Sequence, residues 1–129
     1  MELGNAINWF EIPVTDFERA KKFYESIFDY QMPENQMGDA RMGFLLYDFQ
    51  SGKVGGAIVH QPDFHKPTAT GSLLYLNCQP DLLIVLDRVE AAGGKILKHK
   101  IPVAADQKLG FWALITDSEG NRLALHSMN

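Results

Sequence analysis

Residues 7–14 read Ile-Asn-Trp-Phe-Glu-Ile-Pro-Val, with Phe10, Ile12 and Val14 on one parity and Trp9 and Glu11 on the other. That alternation predicts a strand whose two faces meet different surroundings. Thr15 and Asp16 supply N-cap side chains, Glu18 stands three residues after Thr15 in capping-box spacing, and Phe17, Ala20, Tyr24 and Ile27 recur at helical intervals. A helix over residues 16–28 follows. Its apolar stripe packs on the Phe10/Ile12/Val14 face and leaves Trp9 and Glu11 to the other side of the sheet. Residues 32–40 carry Pro33, Asn35, Gly38 and Asp39 and read as loop, while Met42–Phe49 and Val54–His60 read as strands joined by the turn Gln50-Ser51-Gly52-Lys53.

The stretch 62–71 holds Pro62, Pro67 and Gly71 without periodicity and reads as a linker. The pattern then restarts. Ser72–Cys78 is strand-like, Pro80 suits a first helical turn, and Leu82, Val85, Leu86, Val89 and Ala92 form a stripe that stops at Gly93-Gly94. Strands Lys95–Lys98 and Phe111–Thr116, the polar turn 117–121 and a last strand Arg122–Ser127 complete the second half. Phe111 and Trp112 have opposite parity, so one of them packs under the second helix. An offset of 66 residues carries Trp9 onto Tyr75, Glu11 onto Asn77, Ile58 onto Ala124 and His60 onto His126. We therefore expect an α+β fold in one domain spanning 1–129, built from two repeated βαβββ modules, 5–61 and 72–129, whose mixed sheets curve around a shared cleft.

Composition narrows the partners. With 12 basic against 16 acidic residues there is no cationic surplus to neutralise phosphates, so nucleic acid is not expected. No apolar run approaches a membrane span, and Met1 leads into Glu2 and Gly4 rather than a basic and apolar leader, so no membrane partner is expected. The single cysteine, Cys78, cannot close a disulfide within the chain; its parity makes it a packed thiol, and a cytoplasmic location is expected.

The run Phe10-Glu11-Ile12-Pro13-Val14-Thr15-Asp16 through Ala20 to Phe23-Tyr24, the run Arg88 to Lys95, and the tail Asp117-Ser118-Glu119-Gly120-Asn121-Arg122-Leu123 together resemble the vicinal-oxygen-chelate superfamily. Glyoxalase I, bleomycin-resistance proteins, fosfomycin-resistance enzymes and extradiol dioxygenases belong to it. The resemblance implies paired βαβββ modules, a cleft often completed by dimerisation, and hence a homodimer. It also places the metal-ligand positions of the family's enzymes at Trp9, Tyr75 and Ala124, with Ile58 the first-module counterpart of Ala124. None of these four is a usual ligand. No cofactor is therefore expected, and a divalent metal would need other residues.

Two positions beyond each of these lie Glu11, His60, Asn77 and His126. Glu11 as base with His60 and His126 as donors or acid would serve acid–base chemistry, and the same three would make a displaced two-His-one-carboxylate metal site. Trp9, Tyr75, Asn77, Ile58 and Ala124 are the candidate substrate contacts, with the two aromatic side chains as pocket walls. His65 and His99 read as solvated, and Lys98–Gly110 as a cover over the cleft. Two functions fit: a lyase-type enzyme acting on an oxygen-rich metabolite, favoured by the retained Glu and His residues, and a non-catalytic protein that sequesters a small ligand or drug, favoured by the loss of all four ligand positions.

Overall fold

Two four-stranded sheets, each backed by one helix, follow the expected order; the computed structural model describes residues 4–129. The first module comprises β1 (Trp9–Pro13), α1 (Phe17–Phe28), β2 (Glu34–Met37), β3 (Ala40–Phe44) and β4 (Gly55–His60). The second comprises β5 (Tyr75–Asn77), α2 (Leu83–Val89), β6 (Lys95–Pro102), β7 (Phe111–Thr116) and β8 (Arg122–Ser127). Strand orders are β1-β4-β3-β2 and β5-β8-β7-β6, with β1/β4 and β5/β8 parallel and the other pairs antiparallel. The α+β architecture of two βαβββ modules is thus present.

Several element bounds differ from expectation. β2 lies inside the stretch read as loop, because all four of its residues are exposed at a sheet edge and carry no apolar alternation. The strand expected over Met42–Phe49 is Ala40–Phe44, and the chain then turns through a short 3-10 segment at Phe49–Ser51. β6 runs on to Pro102 with two register shifts, and Pro80 precedes the helix that starts at Leu83.

One core joins the modules. Ile12, Phe23, Tyr24 and Ile27 from the first and Leu82, Leu86, Ile115 and Leu125 from the second are buried in the same apolar cluster. Phe111 packs against it, so Trp112 faces the other way. Cys78 is buried in this cluster, and burial pushes its thiol pKa up to about 12.

The β7–β8 turn ties the second module to the first. Buried Asp117 accepts the Tyr24 hydroxyl at 2.6 Å, the backbone N–H groups of Glu119 and Asn121 at 2.9 Å each, and the Asn121 amide at 3.0 Å. That amide also donates to the Pro13 carbonyl at 2.8 Å. Glu119, its side chain sealed from solvent, accepts the backbone N–H groups of Thr15 and Asp16 and the Arg19 guanidinium. The cap of α1 therefore comes from Asp16, which takes the Arg19 N–H, and from the other module rather than from Glu18. The donors are four positive or polar hydrogens at a helix N-terminus, where a carboxylate is stabilised. Among the described residues no helix is long and apolar enough to cross a membrane.

Candidate functional site

Each sheet has a helix-covered face and an open face, and strand parity sorts the candidate residues between them. On the first sheet, Ile12 and Ile58 enter the shared core, whereas Ala40, Met42, Ala57 and Val59 cluster on the other side with Trp9 and Phe44. Trp9 and Glu11 therefore lie on the open face. Ile58, fully buried, and His60, which pairs with Arg41 across β3 and β4, lie on the helix side. On the second sheet, Leu123 and Leu125 enter the core, so Tyr75, Asn77, Ala124 and His126 share the open face with Trp112.

The 66-residue offset accounts for the misplacement of Ile58 and His60. Trp9 pairs with Gly55, whereas Tyr75 pairs with Ala124, so the second ladder is set three residues further along than the first. An odd slip reverses every side chain on the strand. The counterpart of Ala124 is thus Gly55, and the counterpart of His126 is Ala57.

With this correction the two open faces carry the same aromatic pair. Trp9 and Phe44 approach to 6.1 Å across β4, and Tyr75 and Trp112 approach to 6.1 Å across β8. The intervening positions are small, Gly55 and Ala57 in one sheet and Ala124 in the other, which lets rings on alternate strands meet. A Cβ at Gly55 would sit 2.4 Å from the Tyr47 ring, and Tyr47 packs edge-on to Trp9 at 5.9 Å. Tyr47 fills the space that a side chain at 55 would take, and the Gly55-Gly56 pair opening a strand is the signal that could have pointed to a close approach there.

Between the free edges β1 and β5 lies a pocket of about 600 Å³. Both modules line it: Phe10, Leu45, Leu46 and Tyr47 from the first, Leu74 and Tyr75 from the second, with Asn77 at its polar margin. Tyr75 is 55% exposed and Leu46 61%, so the pocket presents apolar surface to solvent.

The polar candidates do not converge as a trio. Glu11 meets His65, whose Nε2 is buried, has no hydrogen-bond partner among the described residues and lies 3.7 Å from Oε1. His65 is therefore held over the first open face and is not the solvated side chain the sequence suggested. His99, by contrast, is exposed on β6. Asn77 accepts the Gln79 N–H and so shapes its own turn. His126 Nε2 lies 2.7 Å from the Leu109 carbonyl oxygen. A carbonyl only accepts, so Nε2 carries the proton and Nδ1 of the neutral ring keeps its lone pair. Gly110, at φ 79°, makes this approach possible, since a Cβ there would meet the Ser127 carbonyl at 2.4 Å.

The family's metal does not fit these residues. Trp9, Gly55 and Ala124 offer no donor, Tyr75 only a phenol, and the displaced set fails because His60 is on the helix side. Among the described residues no three His, Cys, Asp or Glu side chains are grouped to hold a metal ion.

Comparison with known proteins places this arrangement. The profile of the Glyoxalase/Bleomycin resistance protein/Dioxygenase superfamily matches residues 6–125. A variant of glyoxalase I from Zea mays superposes with a TM-score of 0.71 at 18% identity, covering 93% of this chain and 45% of that one. The chain thus spans about half the length of the maize protein. A glyoxalase/bleomycin resistance protein from Albidiferax ferrireducens gives 0.65 at 18% identity, covering 95% and 98%. The genomically encoded fosfomycin resistance protein of Listeria monocytogenes gives 0.61 at 16% identity, covering 98% and 92%. A search of curated proteins finds no match. These identities establish the fold and leave the chemistry to the residues of the site.

Proposed function

The chain belongs to the Glyoxalase/Bleomycin resistance protein/Dioxygenase superfamily, and from that premise we propose that it is a small-molecule-binding protein that holds a planar organic ligand between its modules. The observation that carries this reading is the pocket of about 600 Å³, lined by both modules and walled by Phe10, Tyr47, Leu45, Leu46 and Tyr75. That volume and that mixture of apolar walls with a few polar groups suit a drug-sized molecule. The acid–base reading is less well supported, because His60 lies across the sheet from Glu11, and the exposed imidazole edge left to chemistry is that of His126.

A thermal-shift screen of planar metabolites tests the proposal, with Leu46→Trp as the partner variant. Leu46 is largely exposed and lines the pocket, so an indole there fills the site without entering the core. A ligand present at 100 times its Kd stabilises the native state by about 2.7 kcal/mol, a readable rise in Tm. The expected result is a rise for wild type that Leu46→Trp abolishes. A rise of equal size in both proteins would place binding elsewhere and overturn the proposal.

A further inference from the structure

The four strands of the second sheet, Tyr75–Asn77, Lys95–Pro102, Phe111–Thr116 and Arg122–Ser127, contain no aspartate or glutamate. They contain Lys95, Lys98, Lys100 and Arg122, in a chain of formal net charge −4. Lys100 is accounted for: it turns to the helix side, 4.7 Å from the Phe111 ring centre, and pairs with Asp81 at 2.9 Å. Lys98 and Arg122 are not. Lys98 pairs in register with Leu114, on the open face, and its ammonium stands 5.1 Å from the centre of the Trp112 ring; among the described residues it makes no ion pair. Arg122 shares that face with Ala124 and His126, and its Nε is buried with no hydrogen-bond partner among the described residues.

Lysines on a sheet edge commonly guard against edge-to-edge association, and β6 is an edge. That explains Lys95 and would explain Lys98 alone. It does not explain Arg122, because β8 lies inside the sheet between β5 and β7. An orphaned guanidinium nitrogen on an inner strand is a costly feature unless something accepts its hydrogen. Lys98 stands over the Trp112 ring and Arg122 lies two residues before Ala124, the register partner of Tyr75; of this group only Tyr75 also lines the inter-module pocket. A fixed field of one sign beside an aromatic wall selects ligands of the opposite sign.

We infer that the ligand is a planar organic anion, its ring against Tyr75 and Trp112 and its carboxylate or equivalent acidic group held by Lys98 and Arg122. This rests on the pocket between the modules being the binding site, the ligand reaching from it past Tyr75 onto the open face of the second sheet. Arg122 supplies the directional donor, Lys98 the mobile point charge, and the Tyr75–Trp112 pair over Ala124 the aromatic surface across which a flat ring lies.

Naphthoate and the uncharged, nearly isosteric naphthamide test this when titrated into the full chain by calorimetry, with tryptophan quenching as a second readout. Naphthoate is expected to bind roughly tenfold more tightly than naphthamide, the scale of one charge-assisted contact. Lys98→Gln should remove most of that preference and leave naphthamide binding unchanged, while Lys100→Gln, whose ammonium is already paired, should change neither. Lys98 is exposed, so its variant folds regardless of the fate of Arg122→Gln. Equal affinity for the two probes, or a preference that survives Lys98→Gln, overturns the inference while leaving the pocket reading intact. Binding of neither probe by wild type overturns the inference, while the pocket reading stands or falls separately by the Leu46→Trp screen.

Discussion

The two modules share an aromatic row and surround it differently. In the first, the Trp9–Phe44 pair closes over buried Ala57 and Val59, Tyr47 fills the hollow at Gly55, and the linker lays His65 over Glu11. In the second, Tyr75 stands half-exposed, His126 occupies the place of Ala57, and Lys98 and Arg122 add charge that no carboxylate pairs among the described residues. The first face has become a packed wall and the second a polar, accessible one. The two modules repeat one strand order, and a few open-face side chains make one face closed and leave the other open.

The turns that close the two sheets diverge in the same way but in the opposite sense. The β3–β4 connection bonds mainly to itself, with Asp48 accepting the Ser51 N–H at 3.2 Å. The β7–β8 turn, through Asp117, Glu119 and Asn121, holds the other module. Alanine at each aspartate measures that difference and carries the largest expected effect. Asp117→Ala strands buried donors from Tyr24, Glu119 and Asn121 and should cost about 3 kcal/mol, whereas Asp48→Ala, at an exposed cap, should cost about 1 kcal/mol or less. Urea denaturation of both variants reads it. Equal losses would mean that the latch contributes no more than an ordinary turn cap.

That latch shows how far the sequence is legible. Asp117-Ser118-Glu119-Gly120-Asn121 was conspicuous as part of the family resemblance, and its turn was readable from composition. Its bonds to Pro13, Thr15 and Tyr24 were not, because they join residues about a hundred positions apart. Likewise, parity assigned Trp9, Glu11, Tyr75 and Asn77 to open faces correctly, since alternation is local. Ile58 and His60 went to the wrong side because ladder register is a property of two strands, and a three-residue difference between β1/β4 and β5/β8 leaves no trace in either strand alone. Tyr47 and Arg122 escaped notice for the same reason: what makes them informative is a missing side chain at Gly55 and a missing partner at Nε.

Glu119 sharpens the comparison through pH. Burial alone would raise its pKa, but the Arg19 hydrogen bond, the Asp16 N–H and the Ser118 hydroxyl together bring it below the ordinary glutamate value. A carboxyl with a lower pKa folded than unfolded contributes stability above its unfolded pKa and loses it as pH falls through the folded one. Glu119→Gln should therefore cost about 1 kcal/mol or less at neutral pH, moderated by the half-exposed Arg19 partner, and the two proteins should converge as pH falls below the ordinary glutamate range. Denaturation midpoints measured across that range decide it. A constant gap at every pH would assign the effect to packing instead of charge.

The smallest expected effect lies at His126, which stands where the first open face has Ala57. His126→Ala makes the second sheet resemble the first there and removes the bond to the Leu109 carbonyl, an exposed acceptor that water can satisfy. The global cost should be about 0.5 kcal/mol. The local consequence is larger in kind, because the turn between β6 and β7 is otherwise tied back through the Val103 N–H to the Gly110 carbonyl. Amide exchange at Val103 should quicken several-fold while that of the β4 strand rises no more than the roughly twofold set by the global cost. Unaltered protection at Val103 would show that His126 does not hold this turn, and its imidazole would then be free to serve the ligand with both nitrogens.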